Sequence, residues 1–128
     1  MKSLLVIGGS EIISQLMVHI FEMRGWNVEA CRRHWDTAIA RLAGDKTFDA
    51  VILSDSLGDK SVFEMILLVR SLKQRKSLAL VVVAGNPGID SHAVLAAGAD
   101  ALFVRPFNPN SLIWTIEHCS ADRSATIS

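Results

Sequence analysis

The sequence offers no net charge. Thirteen Lys and Arg balance thirteen Asp and Glu. That argues against a nucleic-acid module held by phosphate neutralisation and against a polybasic membrane anchor. No apolar run approaches the length of a membrane span, and Leu4 to Ile7 is too short for a targeting segment. There are only two cysteines, Cys31 and Cys119. They are far apart and show no CxxC spacing, as fits reduced thiols in a cytoplasmic protein. His19, His34, His92 and His118 are scattered without metal-ligand spacing. Gly8-Gly9-Ser10 follows a strand but is neither GxGxxG nor a Walker loop, and Glu11 beside it would repel phosphate. No Ser-His-Asp constellation is visible. Repeats, linkers and low-complexity segments are also missing. An enzyme is therefore not expected, and neither is a cofactor.

What is present is enough hydrophobic residue for one core: half of 128 residues. The stretch from Phe48 to Asp59 organises the rest. Val51, Ile52 and Leu53 are consecutive and apolar, so both faces of that strand should be covered. The chain then turns polar at Ser54, Asp55 and Ser56. In an open parallel sheet, ligands sit outside the carboxyl ends of the strands, so Ser54 stands where chemistry is expected.

Ser3 to Ile7 reads as a first strand. Ser10 caps a helix in which Ile12, Ile13, Leu16, Met17, Ile20 and Phe21 recur at helical spacing. Trp26 to Cys31 is a second strand, Arg32 to His34 a polar connection, and Asp36 opens a short helix closed by Gly44. Ser61 and Glu64 form a capping-box pattern, and Val62, Met65, Ile66, Val69 and Leu72 turn that helix inward. Arg70, Lys73, Arg75 and Lys76 read as a solvated basic helix end. Leu78 to Ala84 is a fourth strand and Gly85 to Gly88 a turn. Asp90 caps a helix ending at Gly98. Ala101 to Val104 is a fifth strand, followed by a helix to about Cys119. Strands alternating with helices predict an α/β fold, a doubly wound parallel sheet of five strands with helices on both faces. The domain is expected over residues 1–121, with a flexible tail over 122–128.

The order and spacing of several pieces resemble a response-regulator receiver domain of the CheY-like superfamily, over essentially the full chain. Phe48-Asp49-Ala50-Val51-Ile52-Leu53 matches the strand before the family's phosphoacceptor. Leu57 to Glu64 resembles the loop and helix start after it. Ala97-Gly98-Ala99-Asp100 and Val104-Arg105-Pro106-Phe107 match the closing pattern. The resemblance implies a flavodoxin-like strand order of 2-1-3-4-5.

The family's chemistry needs a carboxylate nucleophile and acidic ligands for Mg²⁺. On that pattern the acidic pair falls on Gly8 and Gly9, and the phosphoacceptor on Ser54, a weak nucleophile without a nearby base or metal. The hydroxyl switch position falls on Ala84 and the aromatic one on Leu102. The cation survives as Arg105, before a Pro106 whose peptide bond is commonly cis in the family. Asp55 should point to the other side of the strand. The resemblance thus implies a pseudo-receiver: no metal, no catalytic residue, and a protein–protein interaction role in two-component signal transduction. A conventional regulator phosphorylated on Asp55 or Ser54 is the alternative. A small-ligand sensor using the vacated pocket near Arg105 is a third.

On a helical wheel Leu112, Ile116 and Cys119 share one side of the last helix, with Ile113 at its margin. Trp114 lies opposite, flanked by Glu117 and His118. Receiver domains use the fourth helix, fifth strand and fifth helix to meet partners, and Trp is enriched at interface hot spots. Trp114, Glu117 and His118 are therefore the expected partner surface, for a signalling protein or a second copy in a homodimer.

Overall fold

The computed structural model describes residues 2–31, 35–44, 47–54, 61–72, 78–85 and 88–125, with side chains as far as Cys119. Five strands alternate with five helices: β1 (Ser3–Ile7), α1 (Glu11–Glu22), β2 (Asn27–Cys31), α2 (Trp35–Ala43), β3 (Ala50–Ser54), α3 (Val62–Leu72), β4 (Ala79–Ala84), α4 (Ser91–Ala97), β5 (Ala101–Val104) and α5 (Pro109–Ala125). The strands form one parallel sheet in the order β2-β1-β3-β4-β5. Fold class and strand order are as the sequence implies.

Every residue of β1, β3 and β4 is buried, which is why these strands read as unbroken apolar runs. Side chains alternate between two cores. Leu5, Ile7, Val51, Leu53, Leu80 and Val82 pack with α2, α3 and α4 residues such as Leu42, Ile66 and Val94. Leu4, Val6, Ala50, Ile52, Val81 and Val83 pack against Met17, Phe21, Leu112 and Ile116 of α1 and α5. Truncating a fully buried core side chain such as Leu53 to Ala should cost about 2–5 kcal/mol.

The caps form as read. Ser10 Oγ accepts from Ile13 N at 3.2 Å. Ser61 Oγ accepts from Glu64 N at 3.2 Å while Ser61 N lies 3.5 Å from Glu64 Oε1. Asp90 Oδ1 accepts from His92 N and Ala93 N.

Four expectations need correction. First, α5 runs on to Ala125 instead of stopping near Cys119. Second, Arg70 is not a solvated helix end. It is half-buried and bonded to Asp100 and to two carbonyls. Third, α1 is apolar around more than one stripe: Met17 and Phe21 are buried, but Ile12 and Leu16 face solvent. Fourth, Leu72 is exposed. Arg32 to His34, Asp55 to Lys60, Lys73, Arg75, Lys76, Asn86, Pro87 and residues 126–128 lie outside the described residues.

Candidate functional site

The C-terminal edge of the sheet brings Gly8, Gly9 and Ser54 together. Leu53 is in register with Ile7, so Gly8 follows β1 where Ser54 ends β3. Gly8 N donates to Cys31 O at 2.9 Å. The backbone at Gly8 and Gly9 has φ of 81° and 89°, a left-handed region that side-chain-bearing residues rarely adopt. A Cβ at Gly9 would lie 3.5 Å from Ser54 Cβ and Oγ. A side chain at position 9 would therefore meet residue 54, but a glycine fills the position. Ser54 itself is buried. Its place beside Ala50 and Ile52 on alternate positions of β3 aims it toward α1.

Ala84 is fully buried and pairs with Val104. Leu102 is half-buried and packs against the core on the α2–α3–α4 face. Neither carries a polar side-chain atom. Arg105 is exposed, and its N donates to Ala84 O at 2.9 Å. Its guanidinium lies over Gly85 so closely that a Cβ there would collide with Nη2, something sequence reasoning missed because the partner is a bare backbone. The Arg105–Pro106 bond is cis.

Among the described residues, no group of three or more His, Cys, Asp or Glu is placed to hold a metal ion. Cys31 lies at the neighbouring strand end. Burial first, and then Glu29, push its thiol above the usual value against the pull of Arg41.

Asp49 and Asp100 sit at the opposite edge. Asp49 Oδ2 accepts from Ser3 N at 2.8 Å. Asp100 Oδ2 accepts from Leu80 N at 2.8 Å and from Arg70 Nη2 at 3.1 Å. These groups join strands and do not face the Ser54 pocket.

A second feature was not read from the sequence. Ile13, Leu16, Arg105, Pro106, Phe107 and Pro109 line a mainly apolar groove of about 380 Å³ between α1 and the segment joining β5 to α5. Seven apolar residues within ten positions of α1, more than one buried stripe needs, were the available signal.

On α5, Leu112 and Ile116 are fully buried and Trp114 is 60% exposed, as the wheel predicts. Its indole stacks on His118 at 3.9 Å between ring centroids. His118 Nδ1 lies 2.8 Å from Trp114 O, a carbonyl that only accepts, so Nδ1 is the donor. Glu117 does not join them. Its carboxylate accepts from Arg24 Nη2 at 2.7 Å and from Trp26 Nε1 at 3.4 Å, tying α5 to the end of α1. The hydrogen bond from Arg24 is the main reason Glu117 is held below the ordinary carboxylate range, opposed by burial.

No protein-family model matches the sequence, and no curated protein does. Solved structures match closely in shape. A CheY-like response regulator receiver domain protein from Methanospirillum hungatei JF-1 superposes with a TM-score of 0.86 at 22% identity, covering 98% of both chains. A Burkholderia pseudomallei response regulator, solved with a phosphorylated aspartic acid, calcium ion and citrate, gives 0.79 at 24% identity over 98% of this chain and 72% of that one. The beryllofluoride-activated NtrC4 receiver domain dimer gives 0.85 at 19% identity over 96% of this chain and 99% of that one. This chain has the fold of the CheY-like response-regulator receiver domains. No helix among its described residues is long and apolar enough to cross a membrane.

Proposed function

We propose that this protein is a pseudo-receiver: a protein–protein interaction module of two-component signalling that works without aspartyl phosphate. One observation carries the reading. The glycine at position 9 stands against Ser54 where a carboxylate would have to face the phosphoacceptor. Mg²⁺ requires hard oxygen ligands, usually carboxylates, and a hydroxyl without base or metal is a weak nucleophile. Ala84 and Leu102 would leave a phosphoryl group nothing to pull on. The protein thus acts by binding, with no catalytic step and no nucleic-acid partner.

Two surfaces support a binding role. Trp114 and His118 present a stacked, exposed aromatic pair on α5. The groove between Leu16 and Phe107 adds an apolar recess near the other rim of the Ser54 edge. The partner is a signalling protein or a second copy of the chain. NtrC4, of the same fold, is a receiver dimer.

The test is incubation with Mg²⁺ and a small phosphodonor such as acetyl phosphate, read by intact mass and by sedimentation. The expected result is no added phosphoryl group and an unchanged association state. A stoichiometric phosphoryl adduct on Asp55 or Ser54 would replace this reading with that of a conventional regulator.

A further inference from the structure

We propose that Arg70 and Asp100 form a latch that sets the position of α4 from the N-terminal edge of the sheet, independently of the Ser54 pocket. The helix needs such a device. It has seven residues, and Val94 is its one fully buried side chain. Short helices are held by tertiary contacts more than by propensity. Asp90 caps its first turn. Its last turn ends at Gly98, whose φ is 128°.

Arg70 reaches that end from the last turn of α3. Its Nε donates to Gly98 O at 2.8 Å, its Nη1 to Leu78 O at 2.8 Å and its Nη2 to Asp100 Oδ2 at 3.1 Å. The three acceptors lie at the end of α4, just before β4 and just before β5. Asp100 is fixed in turn, because Leu80 N donates to its carboxylate and its own N donates to Leu80 O at 2.7 Å. The stem of Arg70 packs on the α4 terminus: a Cβ at Gly98 would lie only 3.0 Å from Arg70 Cγ. The pair is mostly shielded, with side chains 21% and 13% exposed. A guanidinium is a rigid planar fork, so three bonds in three directions fix orientation as well as distance.

Among the described residues, no side chain at the other edge bridges α3, α4 and two strands as Arg70 does. Ala84 and Leu102, at the end of β4 and within β5, have no polar side-chain atom. The α4–β5–α5 face should therefore keep one shape whatever occupies the Ser54 pocket. That consequence for partner binding rests on the function proposed above, whereas the latch stands on its own contacts.

Amide hydrogen exchange on the full chain, followed by NMR, tests it. Arg70→Met should lower protection of Val94, Gly98 and Ala99 by at least tenfold more than that of Val51 and Ile52 in β3. Arg70→Lys keeps the charge and loses the fork, so it should give the same selective pattern in weaker form. It also serves if Arg70→Met does not fold. Met17→Ala, on the opposite face, should lower α4 and β3 protection together. Ser54→Asp should leave the Leu95 and Leu102 amide shifts in place. The latch is wrong if both Arg70 variants lower α4 and β3 protection in step, or if Ser54→Asp moves α4 as far as they do. A phosphoryl adduct would sink the proposed function without touching the exchange result.

Discussion

At its N-terminal edge the sheet is tied by side chains, whereas among the described residues the ends of β1, β3 and β4 at its C-terminal edge are nearly bare of polar side chains. Asp49 takes the Ser3 N–H, Asp100 takes that of Leu80, and Arg70 crosses to Asp100. Gly8, Gly9, Ser54 and Ala84 sit at the other edge, carrying one hydroxyl among the four side chains. Both edges belong to the same strands, so the difference is not one of topology. The N-terminal edge holds strands together through hydrogen bonds to ionised groups, worth about 1.5–3 kcal/mol each. The C-terminal edge, where an open parallel sheet places its ligands, carries no charge at Gly8, Gly9, Ser54 and Ala84. The lesson is that carboxylates in this fold must be sorted by the edge they occupy before they are counted as chemistry.

The largest effect should come from loading the bare edge. Gly8→Asp, Gly9→Asp and Ser54→Asp together would force side chains onto two left-handed positions, at about 1–2 kcal/mol each, and cluster three repelling carboxylates. The triple variant should lose about 3 kcal/mol or more in a denaturant melt and recover part of it with Mg²⁺. A variant more stable than the parent without metal would show that the edge was not cleared for electrostatic reasons.

Unloading the tied edge comes next. Asp49→Ala leaves the Ser3 N–H without its carboxylate acceptor and should cost about 1–3 kcal/mol. A loss under about 0.5 kcal/mol, the scale of an ordinary surface change, would remove Asp49 from the set that holds the strands.

Positions outside both edges should matter less. Trp114→Ala should change stability by under about 1 kcal/mol, because the indole is exposed and the core on that helix is Leu112 and Ile116. If Trp114 anchors a contact, the same change should weaken association by about 2 kcal/mol. A melt and a sedimentation series read the two effects separately.

The smallest effect belongs to Glu117. Its pKa in the folded protein is lowered, chiefly by the hydrogen bond from Arg24. A depressed carboxylate stabilises the fold above its unfolded value, about 4.3, and that contribution fades as pH falls through the folded value. The Arg24 side chain is 53% exposed and that of Glu117 27%, so solvent screens the pair. Glu117→Gln should cost under about 1 kcal/mol near neutral pH, and the parent and variant melts should converge in acid. A gap that stays constant into acid would assign the effect to packing.

The tied edge was largely hidden in the sequence, and the bare one largely legible. Unbroken apolar runs revealed β1, β3 and β4 because these strands are covered on both faces. Ser10, Ser61 and Asp90 announced helix starts because a cap acts within three residues. Gly8, Gly9 and Ser54 are set side by side only through the resemblance to receiver domains, and the structure puts position 9 against Ser54. Arg70 could not be placed, since two of its acceptors are backbone carbonyls and the third lies thirty residues away. Glu117 read as part of an outward face, yet its partner Arg24 is 93 residues distant. The last turns of α5 escaped notice because Ser120 to Ala125 carries no apolar periodicity, and periodicity reports burial, not helicity.

The central claim is that the bare edge binds no divalent cation. Amide NMR of the full chain during a Mg²⁺ titration into the millimolar range tests it most directly. The account predicts that the Gly8, Gly9 and Ser54 resonances stay in place. Saturable shifts clustered on those three amides would contradict it.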